Sequence, residues 1–380
     1  MKKTVLLVSV LTLLTLLMLV SFVRASVGPL QFVTTITLDK EPECIAVNEA
    51  TNRVYVGVED GLLIIDGETD TVITEILPDV NVVALAVNPQ TNRIYVADYG
   101  DNIFVIDGAT NQQVGIIPEG IYDQYELAVN PTTNLVYIAD WTTILGNYDH
   151  ILVYSGETFT EVTQINIPGS DEHTYIERVG LAVNPETNLV YATWSGNNNL
   201  YVIDGDTHEI LENVSPSSFS REITVNTYTN YIYVGDAVLD CDTLVEVFSD
   251  YEGTLEAVDP VNNLVYTVGY SGGDYNLYVL NGTTHGIMTS LELDWYFSSY
   301  SDCVGVNCET DKVYLVNSSE NQIPVGGHPR VSHPDIDNAC IICACSSILH
   351  LHPDSIRRAN PRTVISTLRE LNTRLSFLPK

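Results

Sequence analysis

The chain has 380 residues, with 49 acidic against 16 basic side chains and a formal net charge of −33. Between its two ends the imbalance is larger, because residues 26–327 carry 45 acidic and six basic residues. Such a surface repels phosphate backbones and anionic lipids, which excludes nucleic acid as a partner and charge-driven attachment to a membrane. Seven cysteines, few and odd in number, predict no disulfide framework.

The pattern of the first 25 residues predicts a targeting segment. Lys2 and Lys3 precede an apolar run from Val5 to Val23, and Val23 and Ala25 suit the −3 and −1 positions of a signal-peptide cleavage site. The run also approaches the roughly 20 residues that span a bilayer, so residues 1–25 are a signal peptide or an uncleaved membrane anchor. Either interpretation places the body outside the cytoplasm, secreted or at the cell surface.

One phrase recurs through the body of the chain. LAVNPQTNRIYVAD at 85–98 returns almost unchanged at 127–140 and 181–194, and looser copies begin near 45, 223, 256 and 304. Each unit holds four short β-type runs, which in the second unit are 84–88, 93–97, 103–107 and 113–117. Turn residues separate the runs, a pattern typical of antiparallel hairpins. Seven units of about forty residues predict an all-β fold, a seven-bladed β-propeller of four-stranded antiparallel blades.

The two ends of the repeat region complement each other. Residues 31–39 resemble the fourth run of a unit, as at 71–79, whereas the last unit has two runs and only the start of a third. We therefore expect the N-terminal strand to complete the last blade, closing the ring within a propeller domain at 30–327. We expect that blade to lack a good third strand and to be the weakest in the ring.

The wording of the units resembles the YVTN repeat, whose second strand corresponds to YVAD at 95–98. The resemblance covers about residues 30–325. It implies an exported bacterial or archaeal propeller, including proteins of the archaeal surface layer. Function is not implied, because related propellers include structural adhesins, binding proteins, lactonases, lyases and quinoprotein subunits.

The repeat pattern stops inside the last unit. Residues 328–380 carry seven basic and four acidic residues, and they match no part of the repeat. A periodic stripe from Val364 to Leu378 predicts a short amphipathic helix, and Cys340, Cys343 and Cys345 lie among histidines without the paired spacing of a structural zinc site. This tail is a divergent extension, a rearrangement or the product of a frameshift.

The repeat also separates two faces of the expected ring. Connections between first and second strands and between third and fourth strands form one nearly uniform face, where the Asn and Asp side chains are expected to stabilise turns. The recurrent strand tyrosines are expected to pack between blades. Connections of changing length form the opposite face, where binding usually occurs. The ligand-binding residues predicted there are Tyr122, Glu126, Trp141, His150, His173, Glu177, Arg178, Trp194, Arg221 and Glu222.

Binding, structural and catalytic functions all suit this variable face. The favoured hypothesis is a non-enzymatic binding, adhesion or surface-structural module that contacts a cell-surface protein or carbohydrate through aromatic rings and polar groups. The alternative is a cation-assisted lactonase or lyase in which His173 acts with Glu177 or Glu126. No catalytic residue is assigned, and the only cofactor suggested is calcium, because carboxylate clusters such as Asp98 with Asp101 suit that ion.

Overall fold

A computed structural model describes residues 28–100, 102–118, 126–140, 150–168, 179–194, 198–217, 223–249, 253–295 and 304–328. These ranges all lie within one compact unit, Val27–Pro329. They form twenty-eight strands and two 3₁₀ turns, Glu49–Thr51 and Ser318–Glu320. None of the helices in the described ranges is long and apolar enough to cross a membrane. The predicted signal or anchor (1–25), and the tail beyond His328 with its predicted helix and its cysteine cluster, lie outside the described residues.

The strands form seven four-stranded antiparallel sheets, which are the blades of a seven-bladed β-propeller. Blade 1 consists of β2 (Pro42–Asn48), β3 (Arg53–Val58), β4 (Gly61–Asp66) and β5 (Thr71–Ile76). Blade 2 consists of β6 (Val82–Asn88), β7 (Arg93–Asp98), β8 (Asn102–Asp107) and β9 (Gln112–Pro118). Blade 3 consists of β10 (Glu126–Asn130), β11 (Leu135–Asp140), β12 (His150–Ser155) and β13 (Glu161–Asn166). Blade 4 consists of β14 (Val179–Asn184), β15 (Leu189–Trp194), β16 (Asn199–Asp204) and β17 (Ile210–Val214).

Blade 5 consists of β18 (Ile223–Asn226), β19 (Tyr231–Val234), β20 (Ala237–Asp240) and β21 (Glu246–Phe248). Blade 6 consists of β22 (Thr254–Asp259), β23 (Leu264–Ser271), β24 (Asp274–Asn281) and β25 (Ile287–Leu293). Blade 7 consists of β26 (Val304–Asn307), β27 (Lys312–Leu315), β28 (Gln322–Gly327) and, from the other end of the chain, β1 (Gln31–Thr37). The first strands of neighbouring blades contact each other around the whole ring, including β2 with β26. First strands are therefore innermost and fourth strands outermost.

The ring closes as the sequence predicts, but its last blade is more complete than expected. β1 pairs antiparallel with β28, from Gln31 opposite Gly327 to Thr37 opposite Gln322. The expectation of a poor third strand is wrong, since β28 runs for six residues and has strand partners on both sides. Main-chain pairing does not require the usual side chains, so the ladder continues where the repeat wording has already ended.

The repeated tyrosines pack between blades, as predicted. The seven ring tyrosines are Tyr55, Tyr95, Tyr137, Tyr191, Tyr233, Tyr266 and Tyr314, and each is at most 1% exposed. Each tyrosine lies beside the segment that follows the third strand of the next blade. The Tyr233 hydroxyl, for example, donates to the Gly282 carbonyl of blade 6 at 3.1 Å. A Cβ on Gly156 of blade 3 would come within 2.6 Å of the Tyr95 hydroxyl, so that turn needs glycine for this approach.

Two blades replace this glycine. In blade 5 the position is Cys241, whose buried thiol lies beside Tyr191 and whose pKa burial raises to about 11. In blade 7 it is His328, whose Nε2 lies 3.4 Å from the Tyr266 hydroxyl and whose Nδ1 lies 2.8 Å from the Gly28 carbonyl oxygen. In both blades the larger side chain therefore meets the neighbouring tyrosine directly.

The asparagines of the NPxTN phrase join the blades to one another. Outside blade 1, the first Asn accepts hydrogen bonds from two backbone N–H groups of its own turn, as Asn88 does from Gln90 and Thr91 at 3.0 and 3.2 Å. Its Nδ2 donates to the Oδ1 of the last Asn of the phrase in the next blade. Among the described residues these pairs are Asn48–Asn92, Asn88–Asn134, Asn130–Asn188, Asn226–Asn263 and Asn307–Asn52, at 2.7 to 2.9 Å. The last pair spans the closure of the ring.

Candidate functional site

Connection length distinguishes the two faces of the ring. Every first-to-second-strand connection has four residues, as between Asn48 and Arg53, and the third-to-fourth connections within blades 1–6 have four or five. These connections form the uniform face. On the variable face, second-to-third connections range from two residues in blade 1 to nine between Asp140 and His150, and the links between blades range from four to twelve. The expected contrast between the faces is therefore present.

Polar side chains of the uniform face form hydrogen bonds within the protein. Asp66, Asp107 and Asp204 each accept hydrogen bonds from the backbone N–H groups two and three residues later, as predicted for turn-forming residues. These bonds lower the pKa of Asp66 and Asp204, and the Arg93 guanidinium beside Asp107 lowers that carboxyl's pKa to about 2. Together with the asparagine pairs, they leave this face few groups for a ligand.

Three of the predicted ligand-binding residues fall within the described ranges, at the variable-face ends of blades 3 and 4. Glu126 opens β10 opposite Ala139 and is half-buried, and His150 opens β12 opposite Asp140. His150 is 8% exposed. Two strand spacings, about 10 Å, separate these positions across one blade.

Trp194 differs from the expectation of a loop residue that presents its ring at the surface. It ends β15, pairs with Val179 and Asn199, and is fully buried in the hydrophobic cluster between blades 3 and 4. Every residue of β15 from Val190 to Trp194 is buried, because other blades pack on both faces of this blade. Its described contacts are those of a packing residue.

The other predicted ligand-binding residues lie outside the described residues, so their positions stay predictions. They are Tyr122, Trp141, His173, Glu177, Arg178, Arg221 and Glu222. The described strands on either side fix where their connections begin and end, on the variable face of blades 2 to 5.

Sequence reasoning missed a carboxyl at the start of blade 1. Glu43 lies in an irregular position of the β2–β3 ladder, between Pro42 and Cys44. Burial, and then the neighbouring carboxylates Glu41 and Glu59, raise its pKa above the ordinary value. A carboxyl that holds its proton more tightly is a candidate hydrogen-bond donor or acid at a binding surface. The sequence signal was weak, because nothing in EPECIAV sets this glutamate apart from the many others.

Lys40 forms ion pairs near Glu43 at the start of blade 1. Its Nζ lies 2.8 Å from Asp60 and 2.6 Å from Glu75, which joins the link into blade 1 to that blade's second turn and outer strand. The two carboxylates raise the lysine pKa. Within the described ranges no group of three or more His, Cys, Asp or Glu side chains is arranged to hold a metal ion. Asp98 instead accepts bonds from the backbone N–H groups of Gly100 and Asn102, and Asp101 lies outside the described residues.

A pocket of about 240 Å³ lies between blades 6 and 7, where the chain enters β1 and leaves β28. Gly28, Pro29, Val279, Met288, Thr289 and His328 line it. Both ring nitrogens of His328 already face Gly28 and Tyr266, and the small pocket presents a surface of mixed polarity.

Comparison with known proteins supports the fold. No known protein family matches the sequence, and a search of curated proteins found no match. Solved structures do match. The β-propeller domain of Cps50 (Swd1) from Myceliophteria thermophila superimposes with a TM-score of 0.62 at 13% identity, covering 79% of this chain and 99% of that one. Raptor from Chaetomium thermophilum gives 0.65 at 11% identity, over 80% of this chain and 30% of Raptor. At such identities the likeness concerns the fold alone.

Proposed function

We propose that the chain is an exported, non-enzymatic binding module of the cell surface, related to YVTN-repeat propellers, whose ligand contacts lie on the variable face. The observation that carries this proposal is the contrast between the faces. One face has connections of constant length whose polar groups bond within and between blades, whereas the other has connections of two to twelve residues on the same rigid ring. Loops of changing length on a rigid scaffold are where binding usually occurs.

The ligand in this proposal is a cell-surface protein or a carbohydrate. The likeness to solved β-propellers concerns the fold, which is compatible with a rigid binding scaffold and does not by itself identify the partner. The ligand contacts are proposed on Tyr122, Glu126, Trp141 and their neighbours from the predicted set. Replacing Trp194 would not test ligand binding, because the loss of a fully buried Trp removes core packing and destabilises the blade.

The test is a glycan array and a panel of cell-surface proteins, each probed with the wild-type protein and three variants. Trp141→Ala and Tyr122→Ala change the variable connections, whereas Tyr228→Ala changes a side chain that is 59% exposed in the uniform-face turn of blade 5. We expect the first two variants to lose the binding detected and the third to retain it. Equal binding by all three variants would overturn the choice of face.

Calcium and the N-terminus have separate tests. We propose that millimolar calcium raises the melting temperature more than sodium of equal ionic strength does. Equal shifts would leave only screening of the acidic surface. N-terminal sequencing of the exported protein distinguishes a chain starting at Ser26 from an intact anchor. The lactonase or lyase alternative predicts turnover of a lactone or uronide substrate that His173→Ala abolishes.

A further inference from the structure

Blade 6 carries a hairpin that extends beyond those of the other blades on the variable face. β23 and β24 have eight residues each, whereas the second and third strands of the other blades have at most six. β23 continues five residues past its ring tyrosine, Tyr266, compared with three in blades 1 to 4. Gly272 and Gly273 turn the chain with φ of 71° and 114°, which suits glycine.

The hairpin and the segments beside it carry two pairs of aromatic rings. Tyr270 lies directly opposite Tyr275, with ring centroids 5.1 Å apart at an interplanar angle of 60°. Tyr275 lies opposite Leu293, and Trp295 follows two residues later with its ring 6.0 Å from that of Phe32 in blade 7. We call Phe32, Tyr270, Tyr275 and Trp295 the blade 6 ledge. Tyr270 is 65% exposed and Phe32 42%, so part of the ledge faces solvent.

Carboxylates border the ledge. Asp274 adjoins Tyr275, and Glu292 and Asp294 flank Leu293; all three are exposed. No lysine or arginine occurs anywhere in residues 222–311, which include fifteen acidic residues. The described cations elsewhere are already paired: Lys40 with Asp60 and Glu75, Arg53 with Asp66, Arg93 with Asp107, and Lys312 with Asp70. The carboxylates beside the ledge therefore have no basic side chain of their own blade to neutralise them.

We propose that the blade 6 ledge binds a lysine- or arginine-bearing peptide segment of a partner protein. Guanidinium and ammonium groups stack on tyrosine and tryptophan faces, and the neighbouring carboxylates supply ion pairs. A neutral carbohydrate would use the rings but gain nothing from the uncompensated charge. The inference rests on the proposed function and narrows it to a basic protein ligand at a named position.

The test separates ring contacts from general attraction to an acidic protein. The probe is an immobilised Gly/Ser peptide with three arginines, compared with the same peptide in which citrulline replaces each arginine. Tyr270→Ala and Tyr228→Ala remove equally exposed tyrosines from opposite faces without changing the net charge. Asp274→Asn and Asp242→Asn remove one exposed charge each, the second in a uniform-face turn of blade 5. Circular dichroism checks that every variant is folded.

We expect the arginine peptide to bind and the citrulline peptide to bind at least tenfold more weakly. Tyr270→Ala should weaken binding about two- to fivefold, the size of an exposed cation–π contact, while Tyr270→Phe and Tyr228→Ala leave it unchanged. Asp274→Asn should weaken it more than Asp242→Asn. Equal binding by Tyr270→Ala and Tyr228→Ala would overturn the ledge, as would a loss of glycan binding in Tyr270→Ala without any effect on the peptide. If Trp141→Ala abolishes ligand binding while the ledge variants do not, the ledge fails and the proposed function stands.

Discussion

The hydrogen bond between Asn88 of blade 2 and Asn134 of blade 3 offers a direct measure of how blades are joined. Asn88 is fully buried, and its Nδ2 donates to the Asn134 Oδ1 at 2.9 Å. Asn134 has a left-handed backbone with φ of 56°, so Asn134→Gly removes the acceptor without straining the main chain. A buried donor left without its acceptor costs about 1–3 kcal/mol.

Asn111 provides the matched control. It has a φ of 57° in the third-to-fourth turn of blade 2, and no cross-blade bond of its side chain occurs among the described residues. Both glycine substitutions relieve the strain of a left-handed backbone, and both raise the conformational entropy of the unfolded chain by a similar amount. These two effects therefore cancel in the comparison. We expect Asn134→Gly to lower the free energy of unfolding by about 1–2 kcal/mol more than Asn111→Gly does.

Urea denaturation followed by circular dichroism measures the difference, provided the slopes agree. Asn88→Ala also loses the turn bonds from Gln90 and Thr91, so it should cost about 2–4 kcal/mol. Combining it with Asn134→Gly in a double-mutant cycle should give a coupling energy near 1 kcal/mol. A coupling within about 0.3 kcal/mol of zero, or equal effects of Asn134→Gly and Asn111→Gly, would refute the idea that this bond joins the blades.

Three further predictions concern buried polar groups. Burial raises the pKa of Tyr95 to about 12 from an ordinary value of 10, so the folded state holds this proton more tightly than the unfolded state does. Stability from such tyrosines is complete below pH 10 and lost as the pH rises through 12. Melting temperatures recorded across that interval should therefore fall while tyrosinate absorbance rises. The Tyr95 hydroxyl is buried without a hydrogen-bond partner among the described residues, whereas that of Tyr233 donates to a carbonyl of the next blade. Tyr95→Phe should therefore be neutral or stabilising, and Tyr233→Phe should cost about 1 kcal/mol in denaturation experiments; the opposite order would contradict this account. Finally, Asn262 Nδ2 donates to both Asp259 and Asp311, two carboxylates that replace the usual asparagines between blades 6 and 7. Asp259→Asn should restore the usual donor and raise stability by about 1 kcal/mol, and an unchanged or lower melting temperature would count against it.

The fold could be predicted from the sequence because its signals are local and repeated. Alternating runs with turn residues at fixed intervals define strands, and each copy of the phrase repeats the same evidence. The burial of the ring tyrosines and the turn bonds of Asp66 follow from the same local logic. Closure by β1 was predictable because one end lacked what the other supplied.

The bonds between blades were not predicted, because their partners are distant in the chain. Asn48 and Asn92 are 44 residues apart, and the closing pair, Asn307 and Asn52, is separated by 255. The sequence nevertheless contained a signal. The second Asn of each phrase is usually accompanied by a glycine in the third-to-fourth-strand turn of the same blade, and a Cβ on Gly108 would collide with Asn92.

Predictions for the candidate site were limited by strand ends. His150 and Trp194 lie at the boundary of a strand and a loop, where one further residue of pairing decides whether a side chain is buried. The blade 6 ledge was missed because its rings come from three strands and the link after β25, and only the ladder registers place Tyr270 opposite Tyr275 and Trp295 beyond Leu293.

Basic side chains are unevenly distributed over the acidic ring. Each described lysine or arginine lies near or within blade 1, 2 or 7 and contacts a carboxylate there. Blades 5 and 6 have none, and neither does the stretch 94–177 that includes blade 3, so the protein itself leaves the negative charge of these blades unneutralised. A positively charged partner is therefore attracted to these acidic blades, which include the one that bears the blade 6 ledge. Because screening shortens this attraction to about 8 Å at physiological salt, the aromatic contacts must then determine whether the partner stays bound.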